Sequence, residues 1–156
     1  MAAVTPTLEF VFRITTLMGT RMRFDPLPNG VRRGFTAAIG GKVEGPRLNG
    51  EVVPNSGGDY PTFDADDNAY FDARYLLRAD DGTPILMQAH GMRIGTLEIN
   101  RRLRANEVVP MDAYYFRTQP RFEAPKGPHD WLNRTLFVGS ADRRENYSIF
   151  DIYAVR

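Results

Sequence analysis

Apolar and polar residues alternate along most of the chain in short runs separated by Gly, Pro, Asn and Asp. Leu8, Phe10, Phe12 and Ile14 alternate with Glu9, Val11, Arg13 and Thr15, a period of two that predicts a strand with one apolar face. Residues 70–79 and 85–93 are strand-like runs flanking Asp80-Asp81-Gly82-Thr83-Pro84. Asp and Gly tolerate the positive φ of a tight turn, so a β-hairpin is expected there. Pro26, Pro28 and Asn29-Gly30 mark a turn within 26–34, and Asn55-Ser56-Gly57-Gly58 is expected to be a loop. Gly45, Pro46 and Gly50 interrupt the strand-like stretch 42–53 and predict a bend or bulge. Ile99 and Leu103 lie one helical turn apart among charged residues, which predicts a short surface helix over residues 97–104. Strand patterns follow at 112–119, 134–140 and 147–155. A chain of roughly seven to nine short strands with many turns favours an all-β fold. A single antiparallel β-barrel of roughly eight strands is expected, because closure removes exposed edges and leaves room for one small ligand.

The chain has 156 residues, and one barrel domain over 1–156 accounts for all of them. Twenty Lys and Arg against nineteen Asp and Glu give a net charge of +1, which argues against nucleic acid or an anionic membrane as partner. The absence of cysteine removes disulfides, thiolate nucleophiles and cysteine-ligated metal centres. Lys42 and Lys126 are the only lysines, so arginine supplies nearly all the positive charge. No basic leader with an apolar core opens the chain, and no apolar run nears the ~20 residues of a membrane helix. A cytoplasmic location is therefore expected. The partner expected is a small molecule, and self-association into a homo-oligomer stays open.

Gly40-Gly41-Lys42-Val43-Glu44-Gly45-Pro46 lacks the spacing of a phosphate loop or a dinucleotide fingerprint. Its glycines suit close strand crossing, while Glu44 is a carboxylate that could face a cavity. His90 and His129 are far apart and belong to no ligand triplet, and no Gly-x-Ser-x-Gly elbow occurs. Neither a cofactor nor a metal is expected. Asp59 follows Ser56-Gly57-Gly58, a setting that can hold a carboxylate at a cavity mouth and raise its pKa, or simply make a turn. Tyr115 and Arg117 share one face of a strand, and Glu123 could pair with Arg117 for chemistry or as a brace.

Gly40-Gly41 with Glu44-Gly45-Pro46, Gly50 with Pro54, Gly58-Asp59, Ala73-Arg74-Tyr75, Asp81-Gly82, Gly91 with Arg93, Tyr115-Phe116-Arg117, Arg121-Phe122-Glu123 and Trp131-Leu132-Asn133-Arg134 occur in this order. Their order and spacing resemble domain-of-unknown-function family 3237, small bacterial and fungal proteins. That resemblance implies one β-barrel with a ligand cavity. Two function classes remain open. One is a cofactor-independent acid–base enzyme, a lyase, isomerase or hydratase, acting on a small oxygenated metabolite with an aromatic ring as one option. The other is a non-catalytic, lipocalin-like binding protein. On the enzyme reading Asp59 is the general base, Tyr115 the proton donor or oxyanion partner, and Arg117 the cation holding the substrate. Glu123 orients Arg117 or replaces Asp59, while Glu44, Arg74, Arg93, Trp131 and Asn133 complete the pocket.

Overall fold

In a computed structural model, which describes residues 1–156, the alternating runs form ten strands. They are β1 (Leu8–Arg23), β2 (Arg32–Glu44), β3 (Gly50–Val52), β4 (Gly57–Asp59), β5 (Thr62–Phe63), β6 (Ala69–Ala79), β7 (Pro84–Ile94), β8 (Tyr115–Glu123), β9 (Phe137–Arg143) and β10 (Tyr147–Val155). All pairings are antiparallel, and the order runs β1, β10, β9, β8, β7, β6, then β3, β2 and back to β1. The short strands β3, β4 and β5 all lie between β2 and β6, so they act as one interrupted stave. The result is a closed eight-stave antiparallel barrel, as the alternation predicts.

The expected hairpin forms, with Gly82 at φ 88° between β6 and β7. The expected helix α1 (Leu97–Arg104) also forms. The Thr96 hydroxyl accepts from the Ile99 N–H at its start, and Asn100 and Leu103 are its buried residues. Several boundaries differ from the sequence reading: β9 lies at Phe137–Arg143 instead of 134–140, and β2 starts at Arg32, inside the turn expected over 26–34. The stretch 42–53 does break at its glycines and proline, but as a full turn over residues 45–49 between β2 and β3, where the Asn49 side chain bonds both the N–H and the carbonyl of Gly45. Gly57 and Gly58 are not loop but the first residues of β4, because only a residue without Cβ clears the Arg74 and Thr36 carbonyls there. β8 begins three residues later than the pattern suggested, after a 3₁₀ turn at Met111–Ala113.

One end of the barrel is filled. Phe12, Phe122 and Phe137 meet edge to face at centroid distances of 5.5 and 5.1 Å, and Trp131 closes on Phe137 at 5.8 Å. Trp131 is carried by a 3₁₀ turn at Asp130–Arg134, whose Leu132 is buried in the main core. The other end gathers the last residues of β1, the end of β7, α1 and the end of β9. A separate small core of Leu103, Val109, Tyr114, Phe116 and Ala141 lies beneath the helix.

Candidate functional site

Above the aromatic floor the barrel is hollow. An inner chamber is walled by Ile14, Tyr75, Met87, Ala89, Phe150 and Ile152, with hydroxyls from Thr16 and Thr118. Its free interior, the space open to the centres of water-sized spheres, is about 80 Å³. A second, mouth chamber shares Met18, Thr36, Asp59, Phe71, Phe116 and Ser148 with the first and adds Arg21, Arg23, Arg93, Arg104 and Arg143. Asp59 is the sole carboxylate lining either chamber.

The interrupted stave places Asp59 there. On β4 it sits opposite Thr36 of β2 and Ala73 of β6, both cavity-facing, and cross-strand neighbours share a face. The break before it is held by Ser56, whose hydroxyl donates to the Val53 carbonyl and accepts from the Leu76 N–H. One Asp59 oxygen accepts from the Asp72 N–H at 2.9 Å. Burial nevertheless pushes its carboxyl up to about 7, because loss of hydration outweighs those backbone bonds and the nearby Arg93 charge. Tyr75 shares its environment. Its hydroxyl lies 2.9 Å from the Thr16 hydroxyl, and burial followed by the Asp59 charge pushes its pKa up to about 12. Tyr75 is thus a neutral O–H within the cavity.

Of the residues singled out from the sequence, Asp59 and Arg93 face the cavity. Tyr115, Arg117 and Glu123 do not. They alternate with inward-facing Phe116, Thr118 and Phe122, so the pleat turns all three to the outer surface, where Tyr115 is 51% exposed. Glu123 does not pair with Arg117; its nearest cation is Arg121, at 3.8 Å. Arg74 is likewise outside, one residue out of phase with inward Ala73 and Tyr75. Glu44 lies exposed at the end of β2 beside Lys42. Trp131 and Asn133 belong to the filled end: Arg47 covers the Trp131 ring at 4.3 Å, and the Asn133 side chain bonds the backbone of Ala124. The sequence reading missed Tyr75, Arg21 and Arg143. Alternation from Ala73 to Leu77 was the available signal for Tyr75. No His, Asp or Glu side chains converge in threes, and His129 sits instead 2.9 Å from Asp81 of the hairpin.

A family profile described as "Protein of unknown function (DUF3237)" matches residues 6–155. The UPF0311 protein RPA1785 of Rhodopseudomonas palustris is 36% identical over 154 residues, spanning 97% of this chain and 99% of that protein. Its crystal structure superposes with a TM-score of 0.93 at 31% identity, over 99% of this chain and 100% of that one. A protein of Acinetobacter baumannii described as beta-barrel like has a TM-score of 0.85 at 30% identity, covering 99% of each chain. A Penicillium herquei protein described as an enzyme shares the fold, with a TM-score of 0.68 at 21% identity over 97% of this chain and 98% of that one.

Proposed function

The chain belongs to the DUF3237 family, and from that premise we propose that it is a cofactor-independent acid–base enzyme, a lyase, isomerase or hydratase whose reaction is a proton transfer inside the barrel. The observation that carries this reading is a lone carboxylate, Asp59, at the waist between an apolar, hydroxyl-bearing inner chamber and an arginine-lined mouth. A carboxylate there loses hydration and gains basicity, which is what a general base near neutral pH requires. In the proposed step Asp59 takes a proton from an acidic C–H or O–H of the substrate. The electron pair left behind collects on a substrate oxygen, where Tyr75 supplies an O–H donor, while Arg93 at the mouth supplies the positive charge that holds the substrate. Protonated Asp59 then returns its proton, to another carbon in an isomerisation or to the leaving oxygen in an elimination. Arg93 and Tyr75 thereby take the roles that sequence alone assigned to Arg117 and Tyr115.

Phenylpyruvate, an aromatic acid with an acidic C–H, is a suitable probe. In D₂O, wild-type protein is expected to accelerate exchange of that C–H, read by proton NMR, with a rate that rises with pH through about 7. Asp59→Asn is expected to lower the enzyme-dependent rate by about 10²–10⁴-fold. Undiminished exchange by Asp59→Asn would remove Asp59 as the base. The apolar walls of the inner chamber also favour a second reading, a lipocalin-like carrier. Phenylpyruvate bound by the wild type with no acceleration of exchange is the result that reading expects.

A further inference from the structure

Five guanidinium groups line the mouth, from Arg21, Arg23, Arg93, Arg104 and Arg143. Two share a single carboxylate behind them. Asp67, buried below them, lies 3.2 Å from Arg23 and 3.6 Å from Arg104, and also holds Arg32 at 3.0 Å. Arg21, Arg93 and Arg143 have no carboxylate within ion-pair distance. Arg21 and Arg143 both donate to the Asn106 side-chain oxygen, and Arg21 also donates to the Glu145 carbonyl. Arg93 makes no side-chain hydrogen bond. It is 4% exposed, and its Nε is buried without a partner. Burial first, and then the neighbouring arginine charges, push Arg93 and Arg143 below the ordinary arginine range. Buried cations are normally paired, so unpaired, buried Arg93 and Arg143, with half-buried Arg21 beside them in one chamber, suit an anion.

We propose that Arg21, Arg93 and Arg143 receive the carboxylate of the substrate, whose ring or other apolar body extends past Asp59 into the inner chamber. The inference rests on the proton-transfer reading for the substrate's place in this cavity, for the ionisation of Asp59 and for the acidic proton beside it. A guanidinium fork matches the two oxygens of a carboxylate. A monoanion also suits the neighbourhood better than a phosphate, since Asp59 borders the same chamber and must itself ionise. The walls beyond Asp59, from Ile14, Met87, Ala89 and Ile152, offer an uncharged body dispersion contacts and no hydrogen-bond demand. The substrate class is accordingly a small carboxylic acid with an apolar, ring-sized body and an acidic proton near its middle.

Calorimetric titration of benzoate, its neutral relative benzamide, phenyl phosphate and inorganic phosphate into wild type, Arg93→Gln, Arg143→Gln and Asp59→Asn tests this. Benzoate is expected to bind wild-type protein about tenfold or more tightly than benzamide, and to lose a similar factor in each arginine variant. Both phosphates are expected to bind more weakly than benzoate, and Asp59→Asn is expected to bind benzoate at least as well as wild type. Equal binding of benzoate and benzamide, absent benzoate binding, or unchanged affinity in the arginine variants overturns the proposal. Tighter binding of either phosphate overturns the carboxylate assignment. The benzoate–benzamide comparison on wild-type protein decides the question even where a variant fails to fold. Melting of the unliganded variants supplies a readout that a bracing role would not give. Removing an unpaired buried charge is expected to leave Tm unchanged or raised, whereas a lowered Tm with intact benzoate binding marks a brace and overturns the site. Arginine-dependent benzoate binding without Asp59-dependent exchange defeats the proton-transfer reading alone, and the converse defeats the anion site alone.

Discussion

A carboxylate sharing a cavity wall with Tyr75, Phe71 and Phe116 loses hydration, so its charge weakens the fold. The Asp59 pKa is raised from 3.8 to about 7, so the folded protein holds that proton more tightly than the unfolded chain does. Stability from this group is fully present below pH 3.8 and is lost as pH rises through about 7. The shift corresponds to about 4 kcal/mol of destabilisation once Asp59 is ionised. Asp59→Asn is therefore expected to be more stable than wild type at pH 8. The gap should narrow by about 1.4 kcal/mol per pH unit below 7 and nearly close at pH 4, as read from urea melts across that range. Parallel stability curves for the two proteins would show that the charged form is not penalised. Such a residue trades stability for reactivity, which fits a group retained for chemistry. The three unpaired arginines at the mouth carry the same signature with the opposite charge.

Placement of these residues is decided by the strands, and most of all by the broken stave between β2 and β6. Gly58 precedes Asp59, and a Cβ added at Gly58 would run into the Thr36 carbonyl and come within 2.8 Å of the Phe35 ring. Gly58→Ala is expected to lower stability by about 1–3 kcal/mol and to slow phenylpyruvate exchange, because β4 must shift and carry Asp59 with it. Gly30, with φ 82° and open space around it, is the control: alanine there costs only its backbone strain and leaves exchange unchanged. If Gly58→Ala exchanges as fast as wild type, the position of Asp59 is not set by the stave. The strands, the hairpin and α1 were legible in the sequence because each follows from local periodicity and turn chemistry. The site was half legible. Gly58-Asp59 and Arg93 stand out as a polar group beside glycine, and both face inward. On β6 and β8 the expectation that charged residues mark a cavity chose Arg74, Tyr115 and Arg117, which are on the solvent side. The pleat puts Ala73, Tyr75, Phe116 and Thr118 inside, since a cavity wall between two cores stays mostly apolar. Arg21 and Arg143 carried no local signal, because their meeting depends on how the ends of β1 and β9 converge when the barrel closes.

Across the whole molecule the charges balance to +1, yet they are not spread evenly. Surface arginines such as Arg13, Arg78 and Arg156 are paired with Asp151, Glu51 and Glu9, whereas the mouth gathers five arginines around one lining carboxylate. The opposite end is apolar and packed by Phe12, Phe122, Phe137 and Trp131. On the proposed anion site, capture is governed by a local field, not by net charge, and such a field is screened as the Debye length shrinks. Benzoate affinity for the wild type is expected to fall several-fold between about 20 and about 200 mM NaCl, from screening and from chloride competing for the same guanidiniums. Arg143→Gln should flatten that dependence. Phe122→Ala, at the packed end, should cost about 3–5 kcal/mol of stability while leaving the salt dependence of the remaining folded protein unaltered. If benzoate binding is insensitive to salt while Phe122→Ala still destabilises, the mouth arginines do not set the field. Ligand capture would then be the work of the apolar chamber alone.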